Sequence, residues 1–282
     1  MISLLLIVNG VLMFLAPVVA VWLIRRYRRM PWSLWGIGAA TFILSQVGHI
    51  PFNGVVLRWW QPDPTRQFIP TILFLGLSAG LFEEIARYLT FRFWAKSARS
   101  WGAGLMVGAG HGGIEAVIIG LLFFNQLVNL LLYRAGWLDA ALATVPPEQV
   151  ELLDAAATTL FSLPWYEAML GGVERVFAVC LHLCASLLVL RAVMSGKLGW
   201  LAAAIFWHAF ANSGAVYLAQ TVSPLAAEGF LLIVALLSLA FIFATRTPEP
   251  EPPPLEPLPP PAPVTLKPVP LDGDKLDESR FG

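Results

Sequence analysis

The sequence predicts an all-α fold, a polytopic bundle of about seven transmembrane helices, and three observations lead to this prediction. The chain of 282 residues is 57% hydrophobic and only 13% charged, whereas soluble domains are roughly 45–50% apolar and about 25% charged. Several stretches exceed the roughly 18 apolar residues that mark a membrane-spanning helix. Basic and acidic residues number 18 each, so the charge balance indicates no nucleic-acid partner. These features argue against a soluble globular enzyme.

Hydropathy places the spans in chain order at residues 2–24, 34–57, 68–91, 102–130, 164–190, 199–220 and 224–245. Arginine and lysine concentrate in alternate connections, at 25–29, 92–99 and 191–197, and the other connections are poor in positive charge. The positive-inside rule therefore puts the N-terminus outside and the C-terminus in the cytoplasm. We expect a multi-pass protein of the cell (inner) membrane, with membrane lipids as its immediate partners.

Two segments lie outside these spans. The connection 134–163 contains an amphipathic stretch after Pro146-Pro147 that predicts a short helix at the outer interface. Residues 248–282 hold 12 of the 22 prolines, and such a composition favours polyproline conformation and cannot build a core. The predicted division is a transmembrane domain over 1–246 and a disordered, proline-rich cytoplasmic tail over 247–282.

Charged residues inside spans carry the functional prediction, because an ionisable group in the bilayer is costly and marks a site by default. Six such residues are counted: Glu83, Glu84, Arg87, Glu115, Glu174 and Arg175. All four histidines also lie within spans. In a chain with so few polar residues, this concentration is the strongest single indication of a site.

Helix rise gives the depth of these groups. Glu83 lies nine residues before Arg92, and His111, His182 and His208 are equally far from the cytoplasmic ends of their helices. At about 1.5 Å per residue, all four lie about 13 Å below that boundary. His49 is nearer the outer edge, where we expect a structural hydrogen bonder that pairs with Asn53.

Spacing along each helix adds a second constraint, because residues four apart share a face. Three pairs have this spacing: Glu83 with Arg87, His111 with Glu115, and His208 with Asn212. Polar stripes that face one another form a cavity inside the bundle and keep the charges out of lipid.

This set of side chains suits hydrolysis. Imidazoles can hold a metal or a water, a carboxylate can act as the base, and an amide can stabilise an oxyanion. Arg87 is expected to pair with one glutamate of the Glu83-Glu84 pair, and Arg175 with Glu174 or Glu115. The alternative is that all these groups form interhelical salt bridges and hydrogen bonds that only hold the bundle together.

Taken in order, Glu83-Glu84-x-x-Arg87, His111 and His208-x-x-x-Asn212 resemble the motifs of the membrane-embedded CAAX-processing and bacteriocin-processing proteases and their PrsW-like relatives. Glu-Glu-x-x-Arg is one residue shorter than the Glu-Glu-x-x-x-Arg of the CAAX enzymes. Together with His-Gly-Gly-Ile-Glu at 111–115 and the segment 174–182, this spacing is most similar to the YhfC family of bacterial membrane peptidases. The resemblance covers the third to sixth spans.

This resemblance implies cleavage of a peptide bond near or within the membrane. Glu83 would be the general base, with Glu84 as the alternative; His111 and His208 would bind metal or orient the water, and Asn212 would stabilise the oxyanion. His182 is added as a third metal ligand from its depth alone. Zinc suits three histidines and a glutamate, and a metal-free water held by glutamate and histidine is the alternative. The expected substrate is a protein or peptide that enters from the cytoplasmic side. A membrane-anchored substrate is one form of this expectation.

Two other functions stay open at the level of sequence. A proton-coupled transporter could use the glutamates, histidines and arginines as a relay, although the polar layer lies toward one side and no inverted repeat is evident. A non-catalytic membrane scaffold could bind partners through its proline-rich tail.

Overall fold

The computed structural model describes residues 1–248, and within that range every regular element is helical. Its α-helices are α1 Ile2–Arg28, α2 Trp32–Trp60, α3 Phe68–Leu89, α4 Trp101–Arg134, α5 Asp139–Leu142, α6 Pro147–Ser162, α7 Leu170–Ser195, α8 Gly199–Thr221 and α9 Pro224–Ala244. A π-helical turn, Thr90–Trp94, continues α3, and a 3-10 turn, Glu167–Met169, leads into α7.

Seven of the described helices, α1 to α4 and α7 to α9, are long and apolar enough to cross a membrane. Each corresponds to one predicted span, so the prediction of an all-α, polytopic bundle is confirmed. Several helices run past the apolar stretch that predicted them; α1 ends at Arg28 and α4 at Arg134. A helix can extend beyond its apolar stretch into the polar interface, because its backbone hydrogen bonds are satisfied within the segment.

The short helix expected in the 134–163 connection is α6, which begins with Pro147 in its first turn. Proline suits the first turn of a helix because the backbone N–H that it lacks would have no hydrogen-bond partner within the helix there. The proline-rich tail predicted over 247–282 lies, from residue 249 onward, outside the described residues, and the predicted domain division stays a prediction.

Helix α7 is the centre of the bundle, because it packs against α1, α3, α4, α8 and α9. Its most apolar stretch is 67% buried, more than that of any other described span. Polar side chains on α7 can therefore reach partners on several neighbours.

Helices α3 and α8 approach closely at Gly80. A Cβ atom at this position would lie 2.6 Å from the carbonyl oxygen of Ile205. Small residues permit such close backbone packing between membrane helices. This contact brings Glu84, one turn further along α3, into reach of α8.

Candidate functional site

The predicted polar residues of α3, α4, α7 and α8 do converge inside the bundle. Glu83 is 5% exposed, and Glu84 and Arg87 are fully buried. Three ionisable groups within two turns of one helix could not be buried in this way without partners on neighbouring helices.

A first chain of contacts links Arg87, Glu84 and His208. The Arg87 guanidinium donates to Oε2 of Glu84, and Nδ1 of His208 lies 2.8 Å from Oε1 of the same carboxylate. This carboxylate therefore fixes the His208 ring and leaves its Nε2 directed away from Glu84. A carboxylate behind a histidine in this way sets its tautomer and orientation.

A second chain with the same order links Arg175, Glu115 and His182. Arg175 donates to Oε1 of Glu115 at 2.9 Å and also to Glu174. Oε2 of Glu115 lies 2.6 Å from Nε2 of His182. The expectation that Arg175 pairs with Glu174 or Glu115 is thus met by both carboxylates.

Glu83 stands between the histidines. Its Oε2 lies 3.0 Å from Nε2 of His111 and 3.8 Å from Nε2 of His208. Its Oε1 accepts a hydrogen bond from Nε2 of Gln46 at 3.2 Å. Glu83 lines an internal cavity and Glu84 turns toward Arg87, which distinguishes the two members of the pair.

His182 occupies the middle of the three histidines. Its ring centroid lies 5.2 Å from that of His111 and 5.3 Å from that of His208, and its Nδ1 lies 3.4 Å from Nη2 of Arg87. On α4, Gly112 gives the ring room, since a Cβ there would lie 2.7 Å from Cδ2 of His182. The two Arg–Glu–His chains meet at this ring.

The cavity beside these residues has a volume of about 320 Å³. Glu83, Glu115, His182 and His208 line its polar end, and Glu174 and Arg175 line it about two turns earlier on α7. Asn212 lines the wall one turn beyond His208. The remaining wall is mostly apolar and comes from α3, α7, α8 and α9. The volume lies at the lower end of the range of ligand-binding pockets, roughly 300–1,000 Å³.

The cavity extends in one direction from the polar layer. Ile72, near the start of α3, and Val216, toward the end of α8, line its other end. Ile72 lies eleven positions before Glu83 on α3, which corresponds to about 16 Å. This direction leads away from the arginine-rich connections.

The donor set fits a divalent metal. One ligand atom each from Glu83, His182 and His208 lies within 4.8 Å of the others, and two histidines with one glutamate form a known catalytic zinc set. The contacts join four carboxylates and two guanidiniums, so the network would carry two excess negative charges if every carboxylate were ionised and every imidazole neutral. A divalent cation would offset both charges in the low-dielectric interior.

This grouping differs at one position from the three-histidine set expected from sequence. Among the described residues, the potential ligand group contains the Glu83 carboxylate and not His111. His111 instead lies beside that carboxylate, edge-on to Phe42 at a centroid distance of 5.1 Å. The depth of His111 along α4 predicts that it lies in the polar layer, but depth does not determine the direction in which its ring points.

Sequence reasoning missed Gln46. Asn53 Nδ2 lies 2.9 Å from His49 as expected, and Nδ1 of His49 lies 3.0 Å from Oε1 of Gln46. Through Gln46, this structural cluster of α2 reaches Glu83. The spacing of Gln46, His49 and Asn53 along one face was the signal that could have revealed the connection.

The count of charged residues within spans also missed Glu228, in the second turn of α9. Its Oε2 is buried and has no hydrogen-bond partner among residues 1–248. The Glu228 carboxylate interacts electrostatically with Glu174 and Arg175, so Glu228 lies near the contacts that link Arg175, Glu115 and His182.

Comparison with known proteins places these motifs in a family. Residues 12–231 match the family model described as YhfC intramembrane metalloprotease. The chain is also 35% identical over 215 residues to "Uncharacterized membrane protein YhfC" of Bacillus subtilis (strain 168). The aligned region covers 74% of this chain and 81% of that protein. No solved structure gives a significant match. The chain is therefore a multi-pass membrane protein that belongs to the YhfC intramembrane metalloprotease family.

Proposed function

We propose that this chain is an intramembrane endopeptidase in which Glu83 activates a water for attack on a peptide bond. The family description supports a membrane peptidase in general. The observation that carries the finer proposal is the position of Glu83, buried within the bilayer span yet lining a cavity, with His111 and His208 at its Oε2. A carboxylate so placed can take a proton from a water in that cavity.

The reaction follows from the residues around the cavity. Glu83 removes a proton from the water as its oxygen bonds to the carbonyl carbon of the substrate. The side-chain amide of Asn212 donates a hydrogen bond to the developing oxyanion. When the C–N bond breaks, the proton held by Glu83 passes to the leaving nitrogen, so that a carboxylic acid and an amine are released and Glu83 is again a carboxylate.

The remaining polar residues position these groups. Glu84, held by Arg87, orients His208, and Glu115, held by Arg175, orients His182. Orientation by an outer carboxylate of this kind contributes about 10–100-fold to affinity or activity in known metal sites. Gln46 and His111 fix the carboxylate of Glu83 from two sides.

Zinc is the metal that this donor set fits best. His182 and His208 would hold it, with an oxygen of Glu83 as the third ligand. In that form the metal would supply the activation of the water, and Glu83 acts as the base in the metal-free form. A bound zinc ion would supply polarisation of the water and of the substrate carbonyl. The metal-free alternative uses the same glutamate and histidines, and metal analysis of the purified protein distinguishes the two.

The direction of the cavity changes the expected route of the substrate. The sequence predicts entry from the cytoplasmic side, but the cavity extends toward the helix ends opposite the arginine-rich connections. We propose that a protein or peptide segment reaches Glu83 from that side, the outer side under the predicted orientation. The apolar wall suits a segment that already lies in the membrane.

The experiment is cleavage of a membrane-anchored candidate substrate by the wild type and by Glu83→Ala, Glu84→Ala and His208→Ala. The proposal expects cleavage by the wild type and loss of at least about 100-fold in Glu83→Ala. Expression and thermal stability of each variant control for folding. Cleavage at the wild-type rate by all three variants would overturn the proposal. Solute flux across liposomes that the same substitutions abolish would favour a transporter instead.

A further inference from the structure

A second, larger cavity lies on the side of α7 that faces away from the polar site. This groove has a volume of about 650 Å³ and runs between α1, α7 and α9, with the start of α4 at one end. We call it the α1–α7–α9 groove. We propose that this groove binds one anionic phospholipid, with an acyl chain in the groove and the headgroup at the end of the groove that Arg28 and Arg246 line.

The walls of the groove are apolar along most of its length. Ala16 and Ala20 on α1 face Val179 and Leu183 on α7. Small alanine side chains on one wall leave the space that the groove occupies. An apolar groove that faces lipid in a bilayer is suited to an acyl chain.

Positive charge marks one end of the groove. Arg28 at the end of α1 and Arg246 after α9 both line it, and none of the described residues that line it is acidic. The guanidinium of Arg28 lies over the Trp101 ring, 4.5 Å from its centroid, and Nε1 of Trp101 donates to the carbonyl oxygen of Ile242 at 3.0 Å. Trp101 thus links the arginine end to α9.

The length of the groove matches one leaflet. Along α1 it runs from Ala16 to Arg28, which is about 18 Å of helix. Half of a hydrocarbon core of roughly 30 Å is about 15 Å. With Arg28 and Arg246 at headgroup level, the apolar part of the groove therefore extends to about the bilayer midplane.

Charge complementarity selects the occupant. Basic residues at the cytoplasmic end of a cleft between membrane helices suit an anionic headgroup, and each contributes about 1 kcal/mol near such a surface. The arginine end coincides with the side that the positive-inside rule assigns to the cytoplasm. Helix α7 presents Val179 and Leu183 to the groove and His182 to the polar site, so the lipid would pack against the back of the helix that carries His182.

The test is native mass spectrometry of the full chain in neutral detergent, titrated with dioleoyl phosphatidylglycerol and, separately, with dioleoyl phosphatidylcholine. The wild type is expected to retain one phosphatidylglycerol and to bind phosphatidylcholine more weakly. The double variant Arg28→Gln/Arg246→Gln is expected to bind phosphatidylglycerol about 30-fold more weakly. Arg92→Gln removes a positive charge from the same side of the bundle but away from the groove, and should bind as the wild type does.

A second variant tests the apolar part with the arginines intact. Ala20→Trp fills the groove and should also lose the bound lipid, whereas Leu73→Trp, at an exposed apolar position elsewhere on the bundle, should not. Melting temperatures measured in detergent without lipid identify a variant that fails to fold.

Three results would overturn the proposal. The first is equal affinity of the wild type and the double arginine variant for phosphatidylglycerol. The second is a dimer that forms through this face and excludes lipid. The third is a bound lipid that appears only when residues 247–282 are deleted, which would identify the tail as the occupant.

Discussion

Substitution of Glu115 by glutamine separates the role of this carboxylate in orienting His182 from its role in the ion pair. The side-chain amide keeps the size of the glutamate but removes the charge that faces Nε2 of His182 at 2.6 Å and Nη1 of Arg175 at 2.9 Å. Loss of an outer carboxylate behind a metal-site histidine costs about 10–100-fold in activity or metal affinity. We therefore expect Glu115→Gln to lower both cleavage and zinc affinity by roughly that factor.

Glu174→Gln is the matched control, because Glu174 contacts the same arginine without contacting His182. Its side chain is 39% exposed, against 20% for that of Glu115. Each substitution removes one of the two carboxylates that Arg175 contacts, at a cost of up to about 1.5–3 kcal/mol of stability for a charge-assisted hydrogen bond. Cleavage and zinc affinity are expected to stay within about twofold of the wild type in Glu174→Gln.

The assay combines cleavage of a membrane-anchored reporter with zinc titration against a competing chelator, both on detergent-purified protein of measured melting temperature. An equal fall in activity in Glu115→Gln and Glu174→Gln would contradict the role of Glu115 in orienting His182. It would mean that the Arg175 ion pair stabilises the bundle and that the orientation of His182 does not matter for the reaction.

Three further predictions concern the surroundings of the site. Gly112→Ala places a Cβ 2.7 Å from Cδ2 of His182, so it should displace the ring, cost about 1–3 kcal/mol of stability and lower cleavage more than that loss explains. Gln46→Leu removes the hydrogen bond to Oε1 of Glu83 and should lower cleavage about tenfold at nearly unchanged melting temperature. Asn212→Ala should lower kcat by about 10²–10³-fold with KM little changed, as measured by steady-state kinetics.

Each of these predictions has a contrary result. For Gly112→Ala the control is Gly36→Ala, where a Cβ would meet nothing within 4 Å; equal activity of the two alanine variants would be contrary to the proposed packing. A Gln46→Leu variant as active as the wild type would remove Gln46 from the site. A rise in KM at constant kcat in Asn212→Ala would assign this amide to substrate binding.

The spans and the layer of polar groups could be predicted because the bilayer leaves few choices. Apolar runs of about 20 residues must cross as helices, and helix rise then fixes the depth of Glu83, His111, His182 and His208. Depth is a property of each helix alone, so no knowledge of the packing was needed for it.

Rotation and packing could not be predicted in the same way. Glu83 and Glu84 are adjacent and differ by about 100° around α3, so only the positions of α2, α4 and α8 decide that Glu83 lines the cavity and Glu84 meets Arg87 and His208. Gln46 escaped notice because an uncharged side chain carries less of the desolvation cost that drew attention to the glutamates. The direction of the cavity depends on how four helices diverge, which local sequence does not specify.

The role of Glu83 as the base is tested most directly by cleavage with the purified full chain reconstituted alone in liposomes, with Glu83→Gln as the variant. Glutamine keeps the shape of the side chain and can still contact Gln46 and His111, but it cannot accept a proton from water. We expect cleavage of a membrane-anchored substrate by the wild type and a rate at least about 100-fold lower in Glu83→Gln, with the melting temperature preserved. Cleavage by folded Glu83→Gln at the wild-type rate would show that Glu83 is not the base.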